Sequence, residues 1–345
     1  MIVETVSLRN FRSYASLELS LRPGLVLAVG PNGVGKTNLL ESLHVGTQGF
    51  SPRTRADTEL IRFGETTARI GVHGRRDAIV TDVDVTLESG AAKRATLNGA
   101  PLRGEIATLV FTPDRLAIVK GGPAARRAYF DRALGRLFPT RAQLSAEYGA
   151  AVAQRNASLR RIALGFSSRN ALAPWTERVA ELGTELVAAR REALDLLGAP
   201  FAERAGELGL PDAELRYDGA PPSITALEER LERDLERGAT GIGPHLDDVV
   251  IASGGRELRS FGSQGEQRLT VLALLLAEAG LLAERRGTPP LLLLDDVLSE
   301  LDPARRRILA ARVAATGQAL VTATDPAMLP ADPDQLVEVS DGTAR

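Results

Sequence analysis

The sequence predicts an α/β protein with a β-rich N-terminal part, a sheet of strand–helix units and a helical lobe inserted between its two halves. Three observations carry this. The apolar run Leu25–Val29 leads through the glycine-rich loop Gly30-Pro31-Asn32-Gly33-Val34-Gly35-Lys36-Thr37 into a helix over Thr37–Val45. The middle of the chain turns to long segments rich in Ala, Leu, Arg and Glu. After Val249 strands and helices alternate again, which suggests a parallel sheet.

The elements follow in order. Ile2–Leu8 and Ser16–Leu21 alternate apolar and polar residues, as half-buried strands do, and residues 69–72, 78–87 and 93–97 continue the pattern around a turn at Glu88-Ser89-Gly90. Thr108–Phe111 is a strand ended by Pro113. Helices are expected over 124–137, 140–164 and 176–197. In the last of these Val179, Leu182, Leu186, Ala189, Ala193 and Leu197 mark one buried face. Pro174, Pro200, Pro211 and Pro221-Pro222 are read as breaks. A helix over Thr225–Arg237 has Thr225 and Glu228 as a capping box. A strand at 249–252, a helix over 266–285, the strand Leu291–Leu294, a helix over Pro303–Ala315 and strands at 319–324 and 336–339 close the chain. The expected organisation is 1–122, the N-terminal part of the head; 123–240, the helical lobe; and 241–345, the C-terminal part of the head.

At 345 residues, 44% hydrophobic and 25% charged, the composition is that of a globular protein with a large core. There is no cysteine, so disulfides and thiolate chemistry are excluded, which fits a reducing cytosol. The N-terminus does not read as a signal peptide, and the apolar run 269–282 carries Glu278 and is too short to span a bilayer. A cytoplasmic protein without membrane contact is expected. Net charge is −2, so any pull on nucleic acid must come from local arginine patches.

The loop Gly30–Thr37 fits GxxxxGK[ST]. Its glycines let backbone N–H groups face an anion, and the following helix adds its positive end. Lys36 would reach the β- and γ-phosphates of a nucleotide and the Thr37 hydroxyl would take a Mg²⁺ position, with Asn38 following. Lysine occurs only at Lys36, Lys93 and Lys120, so a compact ammonium here is informative in an arginine-rich chain. Leu291–Leu294 followed by Asp295-Asp296 has the form of a Walker B strand: Asp295 on the ion side, Asp296 the acid that orients or deprotonates water. Ser263, Gly265 and Glu266 open a helix in the Ser-x-Gly-[Gln/Glu] pattern, and Ser299-Glu300-Leu301-Asp302 follows Walker B as a D-loop. A GTPase is excluded, because the residues before the three lysines are Gly35, Ala92 and Val119, not Asn. A structural arm protein is disfavoured by the absence of heptads. A transporter's ATP-binding subunit remains the alternative, although the stretch between Lys36 and Ser263 is long for one.

The order of these motifs, with Leu8–Tyr14, GPNGVGKTNLLE over Gly30–Glu41, Phe111–Asp114, Val119-Lys120-Gly121, Arg126-Arg127, Phe130-Asp131, Gly243-Pro244-His245, Asp247-Asp248, Gln264–Arg268 and LDDVLSELD over Leu294–Asp302, resembles the RecF family of ABC/SMC-type ATPases. The resemblance covers nearly the whole chain. It implies an ABC-type ATPase head: a P-loop NTPase with a mixed sheet, an N-terminal antiparallel β part and the inserted lobe. It also implies ATP and Mg²⁺ as ligands, a nucleotide held between the P-loop of one protomer and Ser263, Gly265, Glu266 and Asp302 of another, and Lys36 and Asp296 in catalysis. The function implied is ATP-dependent binding of gapped or junction DNA in replication and recombinational repair, with slow, DNA-dependent hydrolysis that resets the clamp. RecO- and RecR-type partners would help load the RecA recombinase. Leu246 departs from the family by standing where a basic residue is expected. The shorter acid Asp296, where transporters carry Glu, suggests slow turnover. No Q-loop glutamine is evident, Gln48 lying close to the P-loop, and Thr324 is the nearest candidate for a switch residue. For DNA the candidates are Arg126, Arg127, Arg155, Arg160 and Arg161, with Arg53 and Arg55 for nucleotide or DNA and Arg305–Arg307 as a solvated face. No zinc site is expected from His44, His73 and His245.

Overall fold

In a computed structural model residues 1–76 and 79–345 are described. The contacts divide them into two units, residues 1–115 with 275–345 and residues 116–274.

The first unit carries two sheets, and its strands are numbered with the rest of the chain. One is an antiparallel sheet of β1 (Ile2–Phe11), β2 (Tyr14–Ser20), β4 (Thr67–Arg76), β5 (Ile79–Glu88), β6 (Arg94–Leu97) and β7 (Ala100–Pro101), in the order β2-β1-β4-β5-β6-β7. Ala78, the first residue of the strand expected at 78–87, lies outside the described residues. Val6, Leu8, Ile70, Val72, Val83 and Val85 alternate to one face of this sheet and are buried, which is the period-2 pattern of a half-covered sheet. The other sheet is mixed: β15 (Thr343–Ala344), β14 (Gln335–Ser340), β3 (Leu25–Val29), β13 (Ala319–Ala323), β12 (Leu291–Leu294) and β8 (Thr108–Phe111), in that order. All its pairings but β14–β15 are parallel, and β3, β12, β13 and β8 are buried along their whole length. The continuous apolar runs are explained by cover on both faces. Helix α1 (Lys36–Gln48) buries Leu39, Leu40 and Leu43 in the shared core.

The second unit holds α2 (Ala117–Lys120), α3 (Pro123–Leu137), α4 (Leu144–Ala163), α5 (Ala173–Glu207), α6 (Ile224–Glu229), α7 (Leu231–Arg237), α8 (Leu258–Phe261) and the start of α9 (Gln264–Arg286). Helix α10 (Pro303–Ala315) belongs to the first unit. The second unit also has a small antiparallel sheet of β9 (Glu214–Asp218), β10 (Asp248–Ser253) and β11 (Arg256–Glu257).

The helices depart from the sequence pattern in two places. Pro200 does not break its helix: α5 runs 35 residues straight through it. An interior proline costs about 3 kcal/mol. Leu197, Phe201 and Ala205 flank it and are each 0% exposed, and burial of the two large side chains alone contributes roughly 1.5–3 kcal/mol apiece. The helix expected at 225–237 is two helices joined at Arg230, and its cap is Ser223, whose hydroxyl accepts from the Ala226 N–H at 3.0 Å.

The arginine patch also changes. Arg126 is 2% exposed and holds both carboxylate oxygens of Asp248 at 2.6 Å. Arg155 is 0% exposed, bound to Asp234 and Thr240 at 2.8 Å each. Arg155–Asp234 is a fully buried pair, of the kind that costs about 3–5 kcal/mol to break by removing one partner, and Arg126 is buried against a partly exposed Asp248; both arginines are structural rather than open to DNA. Arg127 is half-buried and donates to the Asp247 carbonyl at 2.6 Å. Arg160 and Arg161 are exposed.

Candidate nucleotide site

The site is built at the C-terminal ends of β3, β12 and β13, the end where parallel sheets place ligands. After Val29 the chain turns through the loop and enters α1 at Gly35, which sits left-handed at φ 116 as the helix cap. A Cβ there would lie 2.9 Å from Ser13 Oγ and 3.1 Å from Tyr14 Oη, so only glycine fits. Glycine has no side chain to close the first N–H groups of α1, and no acid stands in its first turn. Those groups are left to an anion. Tyr14, fully buried, donates to the Gly35 carbonyl at 3.1 Å, and burial pushes its hydroxyl up to about 12.

Lys36 is 7% exposed, with its ammonium on the loop's own carbonyls, Gly30 at 2.7 Å and Pro31 at 2.8 Å. Burial lowers its pKa, against the opposing fields of Asp296 and Asp295. The Thr37 hydroxyl lies 3.0 Å from both carboxylate oxygens of Asp295. Asp295 is 6% exposed, and its Oδ1 also accepts from the Thr322 hydroxyl at 2.8 Å. Asp296 takes a left-handed backbone at φ 47 and its N–H donates to Thr322 Oγ1 at 2.8 Å. Its Oδ1 is buried with no hydrogen-bond partner among the described residues. A hydroxyl paired with a carboxylate beside an anion-directed helix start suits Mg²⁺ and phosphate oxygens. The orphaned Asp296 oxygen suits a ligand proton. No group of three His, Asp or Glu able to hold a metal occurs among the described residues; a Mg²⁺ held by Thr37 and Asp295 would take its other oxygens from nucleotide phosphates and water.

The sequence motifs point to Thr324 and not to Thr322. Thr324 is exposed and its hydroxyl turns to Met328. The parallel register Leu294↔Val321 puts Thr322 opposite Asp295, a consequence of strand order that no motif spells out. Gln48 gives its amide to the Ile106 carbonyl. Arg53 binds Glu41 at 3.1 Å and reaches Asn38 Oδ1 at 3.4 Å, while Asn38 Nδ2 donates to Ser13 at 3.0 Å. Asp302 caps α10, accepting from the Arg305 N–H at 2.9 Å.

Ser263, Gly265 and Glu266 lie in the second unit. Ser263 Oγ accepts from the Glu266 N–H at 3.2 Å and Glu266 accepts from the Ser263 N–H at 2.7 Å. This is a reciprocal capping box. Gln267 fastens the turn before it through the Leu258 and Gly262 carbonyls.

Residues 2–344 match the model described as the RecF/RecN/SMC N terminal domain. A protein named DNA replication and repair protein RecF from Symbiobacterium thermophilum is 37% identical over 94% of this chain and 92% of its own length. The chain belongs to the RecF family. A RecF from Anaeromyxobacter dehalogenans is 38% identical over 93% of the chain and 92% of its own. Among solved structures, the recombination mediator protein RecF-ATP of the RecFOR pathway superposes with TM-score 0.90 at 27% identity, over 99% of this chain and 96% of that one. An Smc head bound to the winged-helix domain of ScpA shares the fold, with TM-score 0.60 at 17% identity over 100% of this chain and 96% of that one. The fold is therefore the ABC-type ATPase head of RecF and SMC proteins. In this RecF-family chain Leu246 is 55% exposed. No helix among the described residues is long and apolar enough to cross a membrane.

One pH dependence follows from Asp295. Burial raises its pKa, the Thr322 and Thr37 hydroxyls pull it down, and Asp296 raises it further; the net shift is upward. A raised carboxylate pKa favours the apo fold below that value and costs stability above it. A bound cation has the opposite requirement, because it needs the anion. Mg²⁺-dependent nucleotide affinity should be full at neutral pH and decline at a pH above the ordinary Asp value of about 3.9. Calorimetric titration from about pH 7 downward should show this decline, and Asp295→Asn should remove it with most of the metal effect. A Mg²⁺ contribution in the unaltered chain that holds constant down to the ordinary Asp range would contradict the assignment.

Proposed function

We propose that this chain is an ATP-dependent DNA-binding protein of replication and recombinational repair, working as an ATP-induced dimer in the cytoplasm. The ATPase head would comprise residues 1–122 and 241–345 around the lobe 123–240; by contacts, residues 116–274 form one unit and 1–115 with 275–345 the other. The observation that carries it is the Thr37–Asp295–Thr322 cluster beside Lys36 and the uncapped start of α1. Relatives solved with ATP and named for recombination mediation support it. An ATP-binding transporter subunit is set aside, since the RecF relatives match over at least 90% of the chain.

Lys36 would leave the Gly30 and Pro31 carbonyls for the terminal phosphates, while the N–H groups from Gly33 to Thr37 take the β-phosphate. Thr37 and Asp295 would hold Mg²⁺, which neutralises phosphate charge when bound. Asp296, with its unsatisfied oxygen, would orient the attacking water and accept its proton. Ser263, Gly265 and Glu266, with Asp302, would complete the site from the second protomer. DNA of gapped or junction form is the proposed cargo, RecO- and RecR-type proteins the partners, and RecA loading the outcome. Hydrolysis would be slow and would release the clamp.

A dimer places two binding faces on one DNA, so affinity rises with ATP through effective concentration. Fluorescence anisotropy should show tighter DNA binding with ATP than without, little dependence on base sequence and a steep loss with salt. Equal affinity with and without ATP would reject the clamp.

A further inference from the structure

The C-terminal end of α4 is closed by two backbone hydrogen bonds. Phe166 N–H donates to the Arg161 carbonyl at 2.8 Å, Gly165 N–H to the Ile162 carbonyl at 2.9 Å, and Gly165 is left-handed at φ 77. This is the Schellman arrangement, in which the residue after the glycine usually rests an apolar side chain on the third and fourth positions from the helix end. Here those positions are Arg161 and Arg160, both exposed. Phe166 consequently stays 74% exposed, and Leu164 beside it 68%. The fold forgoes the stabilisation that burying a phenylalanine gives, yet fixes the backbone that carries it.

The stretch of chain that carries the cap is cationic in sequence. From Tyr148 to Thr176 the chain has no Asp or Glu but four arginines. Arg155 is buried and Arg169 is paired with Glu232. Arg160 and Arg161 form no ion pair among the described residues; Arg160 is steadied by the Gly238 carbonyl at 3.2 Å, which leaves its charge uncancelled. A protein partner would call for a broader apolar surface than one ring and one leucine. An exposed ring on the same helix end as two exposed guanidinium groups without an ion pair matches a base with its flanking phosphates.

We propose that this cap is a contact for single-stranded DNA, in which an unpaired base stacks on Phe166 while Arg160 and Arg161 hold the neighbouring phosphates. The proposal rests on the DNA-binding reading above and adds to it a place and a strand preference. Duplex bases are already stacked on each other and cannot take the ring, so the contact acts at the single-stranded flank of a gap or junction.

The test compares a blunt duplex with the same duplex carrying a single-stranded thymidine extension, bound by the full chain with ATP. The unaltered chain should prefer the extended DNA. Phe166→Ala should lose about tenfold in affinity for it, with blunt-duplex binding and thermal stability unchanged, and Phe166→Tyr should restore the preference. Arg160→Ala with Arg161→Ala should shallow the salt slope on the extension by about 1.4. A 5-iodouracil in the extension should photocrosslink to Phe166. If Phe166→Ala binds the extended DNA as the unaltered chain does, the cap is not the contact, although the wider reading stands. Loss of binding to a RecR- or RecO-type protein alone would make the cap a protein surface and overturn the proposal. No DNA binding under any condition would overturn both readings.

Discussion

Lys36→Met should abolish detectable ATP hydrolysis and weaken ATP binding by about two orders of magnitude, roughly 3 kcal/mol. Lys36 is the one lysine near the loop, and its ammonium is held by the carbonyls of Gly30 and Pro31 in a site that is 7% exposed at that side chain. Methionine keeps the length and the aliphatic stem, so the loop and α1 should persist while the charge is gone. Arginine would not be a conservative replacement, since its planar fork cannot occupy the space of a compact ammonium. Nucleotide titration of the folded variant, checked by circular dichroism, measures the loss. Unchanged affinity would mean that Gly30–Thr37 is not where the phosphates lie.

Much of this architecture is written in local pattern. The strands Leu25–Val29, Thr108–Phe111 and Leu291–Leu294 and the helix Pro303–Ala315 stand where apolar runs and a proline start put them. Lys36, Thr37 and Asp295 are brought together although 258 positions separate Thr37 from Asp295, because the motif types imply one ligand. What was not legible depends on neighbours in space. Thr322 joins the site only through the order of β12 and β13 in the sheet. Arg126 and Arg155 look like a basic face along the sequence, and only packing shows that Asp248 and Asp234 consume them. Phe166 is an ordinary apolar residue until its helix cap shows that nothing covers it. Pro200 reads as a break until the buried face on both sides of it is counted.

In the proposed clamp, ATP brings two copies of this chain together through Ser263. Ser263 is exposed, and in the single protomer its hydroxyl and N–H are closed on Glu266. Ser263→Arg loses that cap at a cost of about 1 kcal/mol and places a bulky side chain where the partner's terminal phosphate would approach. Ser263→Ala loses the cap without the bulk and serves as the control. ATP binding to the monomer should stay near that of the unaltered chain in both variants, because the P-loop lies elsewhere in the sequence. The deciding measurement is the mass in solution by multi-angle light scattering, with and without saturating ATP. The proposed clamp predicts twice the 36.7 kDa chain mass for the unaltered protein with ATP and a single chain mass for Ser263→Arg. A single chain mass for the unaltered protein at saturating ATP, or an ATP-dependent dimer of Ser263→Arg, would contradict it.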